Sequence, residues 1–190
     1  MHRFTLAISI AIPLFIALSA SAAFADPALP IRVAIGGSDA APFVSDTGLT
    51  NLAQTGADSI YTSTDTIDTS KAKNPAPKAV YQTERFGSDM TFTFSALTPK
   101  EAYMVRLHFV ENCLTGAGQR IFDVLINKNA VLTQFDIYGD AGGKDIATVK
   151  TFPTSADDTG KIAIEATSTR TGGTDNALLN AVEILPAGSN

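Results

Sequence analysis

Apolar and polar residues alternate along most of the chain from residue 79 onward, a pattern typical of strands with one buried face. It is clearest at 102–110, where one face carries Tyr103, Val105, Leu107 and Phe109. His108 falls on the other face and is predicted to be a surface histidine near a loop. Period-two runs predict further strands at 31–35, 79–83, 90–97, 121–127, 131–138, 146–152, 161–167 and 177–185. No segment keeps a helical stripe for three turns, so we predict an all-β protein, a jelly-roll-like β-sandwich of two antiparallel sheets.

The segments between these runs are rich in turn residues. Asn127, Lys128 and Asn129 separate two β-like runs and predict a hairpin. Residues 38–78 contain few large apolar side chains, and Pro75 and Pro77 lie near the end of this stretch. We expect mostly loop there, with at most short strands. A long irregular stretch in a compact domain is usually functional or disordered.

The first 25 residues have the composition of a secretory signal peptide. His2 and Arg3 precede an apolar run, and Ala23-Phe24-Ala25 supplies a small-x-small cleavage site. The run is short for a membrane span of roughly 20 residues, and Pro13 interrupts it. We therefore predict cleavage after Ala25, a single domain over 26–190, and no membrane span after cleavage. The short Arg-bearing start suits a bacterium, with a periplasmic or secreted destination.

The charge and the cysteine content limit which partners and which sources of stability the sequence allows. Residues 26–190 carry 13 Lys and Arg against 19 Asp and Glu, a net charge of −6, with no basic run. An acidic surface of this kind argues against nucleic acid and anionic membranes as partners. Cys113 is the single cysteine, so stability must come from packing. The sequence says nothing of oligomeric state.

The sequence lacks the residues that most catalytic mechanisms and metal sites need. His108 is the sole histidine after residue 25, and no G-x-S-x-G elbow occurs. One histidine and one cysteine do not make a zinc site. We predict no cofactor and no metal site, and a protein that is not an enzyme.

Two alternatives stay open on the acidic residues. A glycosidase needs only two carboxyl groups across a cleft, and Glu84, Glu111, Asp136 and Asp175 are candidates that the sequence cannot place. Loops with oxygen ligands suit calcium, although solvated turns explain them better because no dedicated spacing occurs. The acidic residues of those loops are Asp140, Asp145, Asp157 and Asp158.

Several blocks, in order, resemble the malectin domain family. Residues 80–86 (VYQTERF) resemble the family's L-Y-Q-T-x-R-Y/F segment, and residues 107–111 (LHFVE) its L-H-F-A-E strand. Residues 118–127 (GQRIFDVLIN) are similar to G-x-R-x-F-D-V-x-x-N-G, followed by similar blocks at 135–138, 175–176 and 180–184. Residues 35–37 also resemble the opening strand and glycine pair of the family.

The resemblance implies a sandwich whose loops at one end form a carbohydrate pocket. Malectins of the animal endoplasmic reticulum bind glucose disaccharides, stacking sugar rings on aromatic side chains and bonding hydroxyl groups to an Asp. Carried over position by position, this implies carbohydrate-binding roles for Tyr61, Phe86, Glu111, Asp175 and Asn176. Such groups suit a pyranose, because aromatics cover its C–H face while carboxylates and amides satisfy its hydroxyls.

This chain departs from the family after Glu111. Cys113 and Leu114 occupy the positions where sugar-binding malectins carry Tyr-Phe, so two stacking aromatics are missing. We therefore expect a non-catalytic carbohydrate-binding module for a gluco-oligosaccharide or related glycan. The alternative is an envelope or extracellular protein-interaction domain that keeps the fold without the sugar site. If the first holds, Tyr61, Phe86 and Asp175 line one concavity.

Overall fold

The computed structural model describes residues 28–189. The strands are β1 (Ile31–Ala34), β2 (Val44–Ser45), β3 (Leu52–Thr55), β4 (Ser59–Thr62), β5 (Thr83–Gly87), β6 (Asp89–Phe94), β7 (Ala102–Phe109), β8 (Phe122–Ile126), β9 (Asn129–Phe135), β10 (Thr148–Ser155), β11 (Ile162–Thr167), β12 (Ala177–Leu179) and β13 (Ala181–Pro186). Two short helices accompany them, α1 (Lys78–Tyr81) and α2 (Ile137–Ala141). The predicted signal peptide, 1–25, lies outside the described residues. None of the helices between residues 28 and 189 is long and apolar enough to cross a membrane.

The strands form two five-stranded sheets and one small sheet. Sheet 1 has the order β10-β7-β13-β1-β2, and sheet 2 the order β3-β6-β11-β8-β9. All neighbours pair antiparallel except β1 and β2, which pair parallel. The third sheet, β12-β5-β4, is entirely antiparallel and positions the candidate site. The predicted β-sandwich is confirmed, and the small third sheet is an addition that the sequence did not indicate.

The main core lies between sheets 1 and 2 and follows the predicted alternation. Tyr103, Val105, Leu107 and Phe109 of β7 pack with residues of sheet 2 such as Phe92. The predicted hairpin forms between β8 and β9, where Asn127 and Lys128 both have positive φ angles, 49° and 67°. Because two consecutive left-handed residues match the twist of the flanking strands, this turn keeps β8 and β9 in register.

The outer face of sheet 1 is also covered, which corrects the prediction for His108. Its side chain is fully buried, and its Nε2 lies 3.0 Å from Glu183 Oε1. Residues of the long 38–81 segment, including Phe43 and Tyr81, form a second apolar cluster against this face. The alternation on β7 was predicted correctly, but the face assigned to solvent is covered by a loop that has no periodic pattern of its own.

Two segments predicted as strands each contain a short helix at one end. The segment 79–83 begins as α1, which follows Pro77, and β5 starts only at Thr83. The segment 131–138 contains the end of β9 and then α2, whose first turn is capped by the Asp136 carboxylate accepting from Gly139 N. Helices of four or five residues are too short to display a helical period, so alternation alone could not detect them. Within 38–78 the structure has three short strands, as expected.

Candidate functional site

A hollow of about 180 Å³ opens beside the small sheet, at the loop end of the sandwich. Tyr61 on β4 lies directly opposite Glu84 on β5. Phe86 follows two residues along β5 and therefore points to the same side. The remaining wall comes from Cys113 in the loop after β7, Arg120 before β8 and Asp175 before β12. Strands supply one side of the hollow and loops the other.

Phe86 also borders a second hollow of about 250 Å³. Its other lining residues include Asp58, Ser59 and Asn176. The ring of Phe86 is half-buried and packs against the main core, so it is held in place while one surface stays accessible. The two hollows therefore adjoin along one fixed aromatic side chain.

Arg120 organises the loops around the first hollow. Its Nε donates to Glu111 Oε2 at 2.6 Å, and its Nη1 donates to the Asn176 carbonyl oxygen at 2.7 Å. The Glu111 Oε1 atom accepts in turn from the backbone N–H groups of Cys113 and Leu114, at 3.0 and 2.9 Å. The buried ion pair thus ties together the two ends of the β7–β8 loop, and Arg120 links that loop to the segment before β12.

Glu111 is placed behind the hollow rather than in its lining. Its side chain is 1% exposed, and both carboxylate oxygens accept hydrogen bonds from protein groups. Such a carboxylate is well suited to hold Arg120 and the backbone at Cys113 and Leu114. It supports the pocket and leaves ligand contact to its neighbours.

Asp175 stands at the rim with part of its carboxylate free. Its Oδ1 accepts from Asn176 N at 2.7 Å, and its Oδ2 lies 3.6 Å from Arg120 Nη2. Its φ angle of 60° is in the left-handed region, which Asp tolerates better than most residues. The side chain is 39% exposed, so it can accept hydrogen bonds from a ligand.

Cys113 and Tyr61 face each other across the mouth of the hollow. Proximity to the Cys113 thiol raises the pKa of the Tyr61 hydroxyl above its usual range. Partial burial, followed by the nearby Glu84, raises the pKa of the Cys113 thiol. Both groups are therefore neutral at pH 7. The Cys113 thiol is free and exposed at the mouth of the hollow.

Glu84 is the most unusual group of the site. Its side chain is 1% exposed, and its Oε2 has no hydrogen-bond partner among the described residues. Burial raises the pKa of Glu84 to about 8, while the charge of Arg120 opposes the rise. Glu84 does not pair with Arg85, because adjacent strand residues point to opposite faces.

Arg85 secures β5 from the opposite face. Its guanidinium bonds Asp46 at 2.5 Å and Asp58 at 2.7 Å. Gly36 packs on the β5 backbone with a φ angle of +76°, and an added Cβ there would lie 3.0 Å from Glu84 backbone atoms. The glycine pair that opens the domain is therefore needed for the close approach of β1 to the strand that carries Glu84 and Phe86.

Most carboxylate oxygens of the acidic loops considered for calcium are paired within the protein, although Asp145 Oδ1 has no hydrogen-bond partner among the described residues. Asp140 bonds Thr148 and Lys150, Asp157 accepts from its own turn, and Asp145 pairs with Lys144. Within residues 28–189, no group of three or more His, Cys, Asp or Glu side chains is arranged to hold a metal ion.

The structure thus brings Tyr61, Phe86 and Asp175 together in one concavity, with Asn176 in the adjoining hollow. Sequence reasoning missed Arg120 as a site residue and considered Glu84 only as one carboxyl group of a possible glycosidase pair. Arg120 is a fixed position of the G-x-R-x-F-D-V block, which could have marked it, whereas Glu84 stands at the variable position of the L-Y-Q-T-x-R-Y/F segment.

Comparison with known proteins decides the family. Residues 32–182 match the family model described as "Malectin domain". The chain belongs to the malectin domain family. The match includes all strands except the first residue of β1 and the last four residues of β13, so it covers nearly all of the sandwich and the whole site.

Curated relatives that carry a similar malectin region are longer proteins. Receptor-like protein 4 of Arabidopsis thaliana is 30% identical over 136 residues, which are 68% of this chain and 21% of that protein. A probable receptor-like protein kinase of the same plant is 32% identical over 126 residues, which are 60% of this chain and 15% of that protein. Malectin-B of Xenopus laevis is 32% identical over 70 residues, covering 36% of this chain and 25% of that protein.

Solved structures with a similar fold are plant ectodomains. The ANX2 ectodomain of Arabidopsis thaliana superposes with a TM-score of 0.70 at 26% identity, covering 81% of this chain and 48% of that chain. A structure of the plant peptide RALF23 in complex with FER and LLG2 gives a TM-score of 0.70 at 22% identity, covering 81% and 47%. The domain therefore spans about half of these chains.

Proposed function

We propose that this protein is an exported, non-catalytic carbohydrate-binding module that binds a neutral gluco-oligosaccharide or related glycan at the two adjoining hollows. The observation that carries the proposal is the convergence of Tyr61, Phe86 and Asp175 on one concavity. Family membership supports the same function class. Its site of action would be periplasmic or extracellular.

The chemistry of the lining matches a pyranose. The accessible surface of Phe86 and the ring of Tyr61 can cover a C–H face, and Asp175 can accept from sugar hydroxyls. Each hollow alone is smaller than the roughly 300–1,000 Å³ of ordinary small-molecule sites, whereas the two together reach that range. A ligand of more than one sugar unit, lying across Phe86, fits this geometry best.

A glycan array followed by titration of the positive saccharides tests the proposal. A shallow site of this kind predicts dissociation constants of about 0.1–1 mM. We expect Phe86→Ala to weaken binding by about tenfold or more through loss of the stacking surface. Asp175→Ala should weaken it by about tenfold through loss of charge-assisted hydrogen bonds.

Ile60→Ala is the matched control, because Ile60 lies on β4 beside Tyr61 but is 52% exposed on the opposite face. Its binding should equal that of the unaltered protein. Asp175→Asn is a second control that keeps the left-handed backbone while removing the charge. Binding that is unchanged by both Phe86→Ala and Asp175→Ala would reject the site, and shortening of a bound oligosaccharide would reject the non-catalytic assignment.

A protein-interaction domain is the second candidate. Cys113 and Leu114 stand where the sugar-binding relatives have two aromatics, and a neighbour of this fold has been solved in a complex that contains a peptide. This function predicts no saccharide on the array and a polypeptide partner whose binding depends on Tyr61 and Phe86.

A further inference from the structure

A buried carboxyl group with one unpaired oxygen lines the first hollow. Glu84 is 99% removed from solvent, yet its Oε2 has no donor or acceptor in the part of the chain that the structure describes. Buried polar groups are normally hydrogen-bonded, since an unmet one destabilises the fold. Because this unpaired oxygen lies beside a cavity, a ligand that enters the cavity can supply the missing hydrogen-bond partner.

The neighbours of Glu84 favour its uncharged form, and although Asn180 hydrogen-bonds the carboxyl group, its Oε2 stays unpaired. The titratable groups that face it from β4 and the surrounding loops are Tyr61, Glu111, Cys113, Arg120 and Asp175. Arg120 is the one cation of this group, and its hydrogen bonds go to Glu111 and the Asn176 carbonyl. Glu111 raises the pKa of Glu84 and burial raises it further, to about 8. At neutral pH the carboxyl group is therefore mainly protonated, and its O–H is a donor.

The charge of the surrounding lining limits which ligand can use this donor. Glu111, behind the hollow, and Asp175, at its rim, carry two negative charges against the single positive charge of Arg120, so the surroundings of the hollow are net negative while Glu84 is neutral. A carboxylate-bearing sugar would meet that negative field. An amino sugar would have to ionise Glu84 before pairing with it. A hydroxyl or ring oxygen needs neither a charge nor a proton transfer.

We propose that Glu84 is a specificity-determining residue of the pocket, whose neutral carboxyl group donates a hydrogen bond to an oxygen of an uncharged sugar unit that enters the hollow. The inference rests on the carbohydrate-binding function proposed above. It assigns a ligand contact to a side chain that the family blocks do not distinguish, and it selects uncharged sugars over sugar acids and amino sugars.

The test compares the unaltered protein with Glu84→Gln and Glu84→Leu, titrated with maltose, cellobiose and the best saccharide of the array between pH 6 and 9. Deprotonation removes the donor, so binding to the unaltered protein should weaken about tenfold from pH 7 to pH 9. Glu84→Gln keeps a neutral donor and should bind within about threefold at pH 7, with no such pH dependence. Glu84→Leu should bind at least about tenfold more weakly throughout.

Glu101→Gln is the control, because Glu101 is exposed in the turn before β7 and should leave the pH profile unchanged. Thermal unfolding of each variant establishes that it is folded. A folded Glu84→Leu that binds as well as the unaltered protein overturns this inference alone. So does tightest binding to a glucosamine disaccharide that strengthens from pH 6 to pH 8. No saccharide binding by the unaltered protein overturns the proposed function and this inference together.

Discussion

Positions 113 and 114 carry Cys and Leu where the resemblance to sugar-binding malectins implies two aromatic side chains. Their backbone N–H groups are fixed by Glu111 Oε1, so the turn geometry does not depend on which side chains they carry. Cys113 reaches the hollow, and its thiol is neutral at pH 7 because its pKa is raised. The loop is therefore a place where sugar affinity can change without a change of fold.

Restoring the aromatic pair should strengthen sugar binding. Cys113→Tyr combined with Leu114→Phe adds stacking surface worth about 0.5–1.5 kcal/mol per aromatic contact, so the affinity for glucose disaccharides should rise by about tenfold. Calorimetric titration with maltose and cellobiose measures the change. Cys113→Ser is the matched control and should leave affinity within about twofold. Equal or weaker binding by the aromatic variant would show that this loop does not contact the ligand.

For single residues, the sequence could indicate Tyr61, Phe86 and Asp175. Each is of a residue type that suits sugar binding, and each stands at a position that the family resemblance marks. It could not indicate Glu84, because the absence of a partner for a buried carboxyl group depends on the packing of four separate segments. Glu111 was assigned the role of a ligand contact, whereas its oxygens are occupied by Arg120 and the backbone.

At the scale of elements, β7 is buried on both faces. One face joins the main core, and the other carries Arg106 and His108, which both bond Glu183 of β13. The pKa of Glu183 is lowered to about 2; burial acts against this shift, and hydrogen bonds from His108, Arg32 and Arg106 outweigh it. Burial lowers the pKa of His108, so the imidazole is neutral and its Nε2–H donates to Glu183.

Helix α1 completes this cluster through one hydroxyl group. Tyr81 donates to His108 Nδ1 at 2.8 Å and accepts from Ala76 N at 3.1 Å. Tyr81→Phe leaves both groups buried and unpaired, so the free energy of unfolding should fall by about 1–3 kcal/mol. Urea denaturation at pH 7 measures it. Tyr138→Phe, in the partly exposed helix α2, should change stability by less than about 0.5 kcal/mol. Equal effects of the two variants would contradict this role.

The sequence predicted the long strands of the sandwich because their apolar faces repeat over six to eight residues. It failed for α1 and α2, which are set by single local features, namely Pro77 before one and the Asp136 cap of the other. It also failed for the cover over His108, since contacts made by an aperiodic loop leave no repeat in the sequence.

At the scale of the whole molecule, one buried acid makes stability depend on pH in an unusual direction. The pKa of Glu84 is about 8 in the folded protein against an ordinary value of 4.5. Between these values the unfolded chain releases this proton and the folded protein keeps it. Because the folded state binds this proton more tightly than the unfolded chain, the free energy of unfolding falls as pH rises from about 4.5 to about 8.

Glu84→Gln should remove this dependence. Its stability relative to the unaltered protein should grow between pH 5 and pH 8 by about 2–4 kcal/mol, because the amide does not ionise. Urea denaturation at pH 5, 6, 7 and 8 measures the difference, in which contributions of His108 and Glu183 cancel. Glu101→Gln should show no such trend. A difference between Glu84→Gln and the unaltered protein that stays constant with pH would mean that Glu84 is ionised in the fold.

The two-sided construction of the first hollow has a consequence for how such domains diversify. Glu84 and Phe86 belong to a strand bonded on both edges and clamped from behind by Arg85, so few replacements there leave the sheet intact. Cys113 belongs to a loop whose backbone is held by Glu111 and not by its own side chain. Substitutions at this position can therefore alter the loop-built wall of the hollow while the strand-built floor keeps its structure, so that a new ligand specificity can arise without loss of the fold.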